Sequence, residues 1–391
     1  LSGAEGKAFS ELSPALREED MKRRQLTIPF CAVFLLFSLE IDQVASEVRA
    51  ETGQQLIKEG IAMMQKGDYA SARDRFAKAV QMNDHEPGAH FGLGLAYFHL
   101  RDYDSSEKEL NRTIQLNPTL NPAAYAVLGD IASIRNDTEH AKEYWEKAYK
   151  LDPSISGLRQ KLAKADYDTK VEKRFLQQDS MHFTVKYEGA ERYEVGAIVL
   201  SILEDACTDI GRELAHYPSG KLQTILYSNQ QFREIPGTPG WSGAVFDGRI
   251  RLGIGGVTYA TPALRMALYH EYTHALVRDI TPRCPAWINE GLAQYFEGRR
   301  TPPELRNDKS HKGPILAKLE FPFGNLSVQQ ARLAYAISLS AVEYMIDHYG
   351  MFRVRNLLQE LAGSPDTATT IDNALGISYE QFEKDWRQSI E

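Results

Sequence analysis

The residues best suited to chemistry are His270-Glu271-Tyr272-Thr273-His274. Four residues advance an α-helix by about 400°, so on a helix the two imidazoles leave one face one turn apart and can both reach a single Zn²⁺. Glu271 then stands about 100° round from His270, placed to contact a water on that ion without ligating it. Thr261-Pro262 signals the helix with an N-cap and a proline at the first helical position, and Ala263 to Val277 continues it with Leu, Ala and Met. Asp279 to Cys284 breaks it, and Pro285 opens a second helix, Pro-Ala-Trp-Ile-Asn-Glu-Gly-Leu-Ala-Gln-Tyr-Phe-Glu. Glu290 falls in the first turns of that helix, level with the metal face of the helix before it. It is the expected third ligand, which leaves one position for water. One Zn²⁺ per chain is expected. Glu297 shares a face with Glu290 two turns on, where a supporting or a solvated place suits it better than ligation.

The pairing of His-Glu-x-x-His with Trp-x-x-Glu-Gly-x-Ala resembles the gluzincin metallopeptidases, and specifically the peptidase-MA-like family often found beside tetratricopeptide repeats. The similarity runs from about His182 to Trp386 and includes a Phe-Asp-Gly hairpin. It implies an α+β zincin-like domain that hydrolyses peptide bonds, with His270, His274 and Glu290 as ligands and Glu271 as general base and acid. By analogy with tyrosines in related aminopeptidases, Tyr335 is the candidate donor to the oxyanion, and its alternative is a packed helix aromatic. Tyr272 and Trp287 are expected in the core, holding the two ligand helices in register. One position departs from the pattern. Thermolysin-like gluzincins carry an aspartate four residues after the ligand glutamate to orient a ligand histidine, and here Gln294 stands there, able to accept an imidazole N–H but raising its basicity less.

These residues need elements to hold them. His182 to Tyr187 alternates as a strand, a helical stretch follows near 191–215, and Leu222 to Tyr227 reads as a second strand. Asp247-Gly248 suits a two-residue turn, so a hairpin is expected over 242–254. Its Gly243 and Gly253 would let a substrate backbone approach and add to one of its strands. Helices around Ala331 to His348, Phe352 to Leu361, Thr369 to Ala374 and Tyr379 to Ile390 would cover the zinc helices. The catalytic-looking domain is assigned to 179–391.

Ahead of it, self-similarity at a 34-residue period gives three copies over 53–155. Leu56, Gly60, Met63, Ala72, Phe76 and Ala79 of the first correspond to His90, Gly94, Tyr97, Ser106, Leu110 and Thr113 of the second. The third has Tyr125, Gly129, Ala132, Ala141, Trp145 and Ala148. This pattern resembles the tetratricopeptide repeat, in which small residues let paired helices approach while aromatics fill the space between them. The resemblance implies an all-α superhelix that could recruit a protein partner or substrate. Residues 156–178 read as a solvating helix and linker.

The sequence has 391 residues, with 45 Lys and Arg against 53 Asp and Glu, a net charge of −8. No overall basic field exists to neutralise phosphates, so nucleic acid is not an expected partner. Met21-Lys22-Arg23-Arg24 precedes the apolar run Ile28 to Leu39, with small residues at Val44-Ala45-Ser46. We read 21–46 as a cleavable secretory signal, with an uncleaved anchor as the alternative, and 1–20 as a non-native or disordered leader. The run is too short for a permanent membrane span. The expected place is periplasmic or extracellular, where Cys207 and Cys284 could pair or stand as separate thiols. The fold class expected is multidomain, an all-α repeat superhelix followed by an α+β zincin-like domain. The rival reading is a non-catalytic repeat scaffold with a structural zinc-binding domain, which would have no use for an acid at Glu271.

Overall fold

The computed structural model describes residues 52–119, 121–189, 192–218, 220–238, 243–305, 316–363 and 366–390. The expected leader at 1–20 and secretory signal at 21–46 lie outside them. No helix among the described residues is long and apolar enough to cross a membrane.

The chain begins as an array of paired antiparallel helices: α1 (52–66) with α2 (Tyr69–Met82), α3 (Pro87–His99) with α4 (Tyr103–Leu116), and α5 (Pro122–Ile134) with α6 (Thr138–Leu151). Each pair turns in the same way. Gly67, Arg101 and Asn136 take positive φ, and the aspartate that follows, Asp68, Asp102 or Asp137, caps the next helix by accepting from the backbone N–H three residues on. The small residues of the repeat act sterically: a Cβ at Gly129 would stand 2.4 Å from the Trp145 ring, and one at Gly94 would stand 2.9 Å from Leu110. Larger side chains would part the pairs.

The next helix, α7 (Leu158–Val171), is not a solvated linker. Leu158 and Ala165 pack with Ala141, Trp145 and Ala148 of α6 and so close the end of the array. Tyr167 and Val171 pack on the sheet beyond with Phe175, Ile225 and Tyr227. The strand expected no earlier than 179 also has a predecessor, β1 (Phe175–Asp179), within the stretch read as linker. Few apolar positions mark α7 because one of its three buried residues is polar, Asp168, which is 2% exposed.

The second domain is built on a five-stranded sheet of order β1-β2-β3-β5-β4, with β2 (Phe183–Glu188), β3 (Leu222–Tyr227), β4 (Ala244–Phe246) and β5 (Ile250–Gly253). β2, β3 and β5 run parallel, and β1 and β4 pair antiparallel at the two edges. The hairpin joins β4 to β5 by three residues rather than two, since Phe246 pairs with Ile250 and the Asp247 N–H donates to the Arg249 carbonyl. One face of the sheet, through Phe183, Val185, Leu226 and Leu252, buries α8 (Tyr193–Leu214) and α10 (Pro262–Ile280). The other receives α7 and the short α9 (Asn229–Glu234). Helix α11 (Ala286–Phe296) follows α10. Both are covered by α12 (Val328–Gly363), bent at Gly350, and by α13 (Thr367–Leu375) and α14 (Tyr379–Ile390).

Candidate metal centre

Thr261 caps α10 by accepting from the Leu264 N–H, with Pro262 next to it, so the helix starts where its sequence signals it. Its core face, with Leu268, Tyr272 and Leu276, is held by the sheet and α8. Tyr272 lies edge-on to Phe183 at 5.5 Å. Held this way, α10 turns His270 and His274 toward α11. That helix is fixed from behind by Trp287, which stacks on Tyr379 and donates its indole N–H to the Tyr379 hydroxyl at 3.0 Å. At Gly291 the backbones of α11 and α12 come so close that a Cβ would stand 2.4 Å from the Ser338 carbonyl oxygen.

The result is a convergence of three ligand atoms. The Nε2 atoms of His270 and His274 are 3.1 Å apart, and Glu290 Oε2 is 3.7 Å from the first and 3.5 Å from the second. Three donors of a tetrahedral ion at about 2.0–2.1 Å stand about 3.3–3.4 Å apart, so the triangle has the size a metal requires. The protons point the same way. His274 Nδ1 is 3.1 Å from Asn289 Oδ1, and His270 Nδ1 is 3.3 Å from Glu297 Oε2. With both Nδ1 atoms facing those oxygens, the two Nε2 atoms and a carboxylate converge on one point, which a cation or a proton shared between the imidazoles must occupy. Glu290 Oε2 is buried and has no hydrogen-bond partner among the described residues. Burial alone would depress the His270 pKa, yet Glu297, Glu271 and Glu290 outweigh it and push the imidazole up to about 9. The residues fit a metal ion.

Glu271 is 7% exposed. Burial pushes its carboxyl above the usual range against the pull of the two imidazoles, and Glu290 and Glu297 push it further. Tyr335, on α12, is half-buried, with its ring edge-on to Phe323 at 5.4 Å. Burial and the charges of Glu290 and Glu271 raise its phenol above the usual value. Gln294 does not face an imidazole: its amide donates to the Glu290 and Tyr335 carbonyls, tying α11 to α12. Glu297, for which the sequence left a supporting and a solvated place open, is buried beside the cluster. Its carboxylate is 5% exposed and meets His270, and the signal was its seven-residue distance from Glu290, two turns along one face. Cys207 and Cys284 are free thiols.

A cavity of about 880 Å³ lies elsewhere, between the repeats and the side of α10 turned away from the imidazoles, where Phe98, Asp130, Lys161, Tyr217, Tyr272 and Arg278 are among its walls. Above it the two parts are joined by buried charge. Arg251, 2% exposed, donates to Asp168 of α7 at 2.6 and 2.7 Å, to the Tyr227 hydroxyl at 2.7 Å and to Asp247 at 2.9 Å.

Comparisons with known proteins agree with this division. Residues 222–391 match the family model described as Peptidase MA superfamily, and residues 57–124 and 122–155 match tetratricopeptide repeat models. The repeat half is similar to BBSome complex member BBS4 of Mus musculus, 23% identical over 121 residues, 31% of this chain and 23% of that protein. It is also similar to anaphase-promoting complex subunit 3 of Schizosaccharomyces pombe, 29% identical over 97 residues, 25% of this chain and 14% of that protein. The chain thus spans less than a third of the length of these curated relatives. Among solved structures, the first repeat domain of Spaghetti (RPAP3) bound to an HSP90 peptide aligns with a TM-score of 0.29 at 22% identity, covering 31% of this chain and 94% of that one.

Proposed function

From a chain that carries a Peptidase MA superfamily domain after tetratricopeptide repeats, we propose an exported zinc-dependent peptidase whose repeats recruit a protein partner or substrate. The observation that carries the reading is the convergence of His270, His274 and Glu290 beside a buried Glu271. A purely structural zinc site has no use for that acid.

Bound by the three ligands, one Zn²⁺ would supply Lewis-acid polarisation of a scissile carbonyl and a more acidic attacking water. Glu271 takes the proton from that water and returns it to the leaving amine, a task suited to a carboxyl whose pKa burial has raised. Tyr335 donates its O–H to the oxyanion that forms. An extended substrate lies along β4. Within the hairpin the Gly253 N–H donates to the Gly243 carbonyl at 3.0 Å, and the antiparallel alternation turns the N–H and C=O groups of Phe246 outward. Among the described residues no strand pairs on that side. The groove between the repeats and α10 is the place for a partner.

The test is metal content and peptide cleavage of residues 47–391, wild type beside Glu271→Gln. One zinc in each and a fall in cleavage of about 10²–10⁴-fold in the variant is the expected result. Stoichiometric zinc with no cleavage by the wild type would favour the scaffold reading. Export is tested by N-terminal sequencing of material from the native host, expected to start between Glu47 and Glu51.

A further inference from the structure

We infer that Glu297, held by Arg299, is the residue that orients His270 toward the metal, filling from the end of α11 the place that Gln294 leaves open. The inference rests on the metal-site reading above and deepens it. An imidazole ligand needs its second ring nitrogen anchored, because the anchor fixes the tautomer and the ring plane and makes the ligating nitrogen more basic. His274 has an amide anchor, Asn289 Oδ1, at 3.1 Å. For His270 the corresponding atom is Glu297 Oε2, 3.3 Å from Nδ1, an ion-pair contact that lacks hydrogen-bond geometry.

Three observations single out Glu297. Its side chain is 5% exposed, which a carboxylate does not tolerate without partners. Its other oxygen stands 2.5 Å from Arg299 Nε, an ion pair without hydrogen-bond geometry that sets the guanidinium on the solvent side of the carboxylate. Gln294, at the position where the family pattern expects the anchor, is committed to the Glu290 and Tyr335 carbonyls at 3.1 and 2.9 Å. The α11 C-terminus places Glu297 two turns beyond Glu290, so one helix supplies both a ligand and the anchor of another ligand. Glu297 is a positioning residue: it touches neither substrate nor ion.

The experiment is zinc affinity, by competition with a chromophoric chelator, for residues 47–391 and the Glu297→Ala and Glu297→Gln variants, beside thermal unfolding of each protein stripped of metal. Glu297→Ala should weaken zinc binding toward 100-fold and Glu297→Gln, which keeps an acceptor without the charge, nearer tenfold, within the range of about 10–100-fold for such partners. The metal-free unfolding temperature of Glu297→Gln should stay within a few degrees of wild type, because a merely structural glutamate would lower stability and leave affinity alone. Wild-type affinity in Glu297→Gln, a variant close enough in size to fold, overturns the assignment while the metal site stands. A wild-type protein that binds no zinc overturns the metal site and this inference with it.

Discussion

Arg251 and Asp168 form two parallel hydrogen bonds, 2.6 and 2.7 Å, across the seam between the helix that closes the repeats and the sheet that carries the candidate metal centre. Both side chains are 2% exposed, so neither charge has water to fall back on. Asp168→Asn takes the bidentate carboxylate from Arg251 and leaves it Asp247 alone, so stability should fall by up to about 3–5 kcal/mol, the range for breaking a buried pair. Urea unfolding followed by tryptophan fluorescence measures it, and a loss below 1 kcal/mol would mean that the seam is wetter than its geometry.

The same guanidinium gives the protein an acid-sensitive element. Burial pushes the Asp247 carboxyl up, but Arg251 and Lys164 pull it down further, and the net shift is below the usual carboxylate value. A carboxylate depressed by folding contributes stability that is present above its unfolded value of about 3.9 and disappears as pH falls through the lower folded value. Unfolding free energies between pH 6 and pH 3 should therefore fall less steeply in Asp247→Asn than in wild type. Parallel acid limbs would show that Asp247 titrates alike in both states.

Gly291 is where the ligand helix meets α12. A Cβ there would stand 2.4 Å from the Ser338 carbonyl oxygen and 2.5 Å from the Val342 side chain. Gly291→Ala must move α11, and overpacking of this kind costs about 1–3 kcal/mol. Because Glu290 is the adjacent residue, the movement should also reduce bound zinc below one per chain, as read by elemental analysis. Full zinc in a destabilised Gly291→Ala protein would place the strain on the α12 side.

Proline scanning of the hairpin separates substrate binding from folding. Gly253→Pro removes an N–H that the hairpin itself uses, so it tests folding. Phe246→Pro removes an N–H turned away from β5 and leaves the ladder to β5 intact. It should lower kcat/KM for an extended peptide by tenfold or more with zinc content unchanged, and wild-type kinetics would take β4 out of substrate binding.

The repeats and the ligand helices are legible in the sequence because their signals are local: an i, i+4 histidine pair, a Thr-Pro start, and small residues recurring against aromatics at one period. What is missed depends on distance along the chain. Asp168 reads as one more charge on a solvated helix until Arg251, 83 residues later, folds onto it. The place of Glu297 depends in the same way on a ring in a different helix, and that of Gln294 on carbonyls that no spacing rule supplies. The hairpin loop shows a subtler limit, since Asp-Gly marks a turn but the closing pair is chosen by the strands, and they choose Phe246 with Ile250.

The seam through Arg251 also sets where the chain can be cut. The stretch that matches the peptidase family starts at 222, in β3, after β2 and α8 have already supplied nearly a third of the buried residues of the core on one face. A fragment beginning there would lack the β2 partner of β3 and would carry Arg251 with no Asp168 to meet it. A viable excision has to keep α7, and since α7 also closes the repeats, freeing the sheet strips the array of its end cap. Denaturant should accordingly melt the last repeat and the sheet together, in one transition shared by tryptophans on both sides, Trp145 and Trp287.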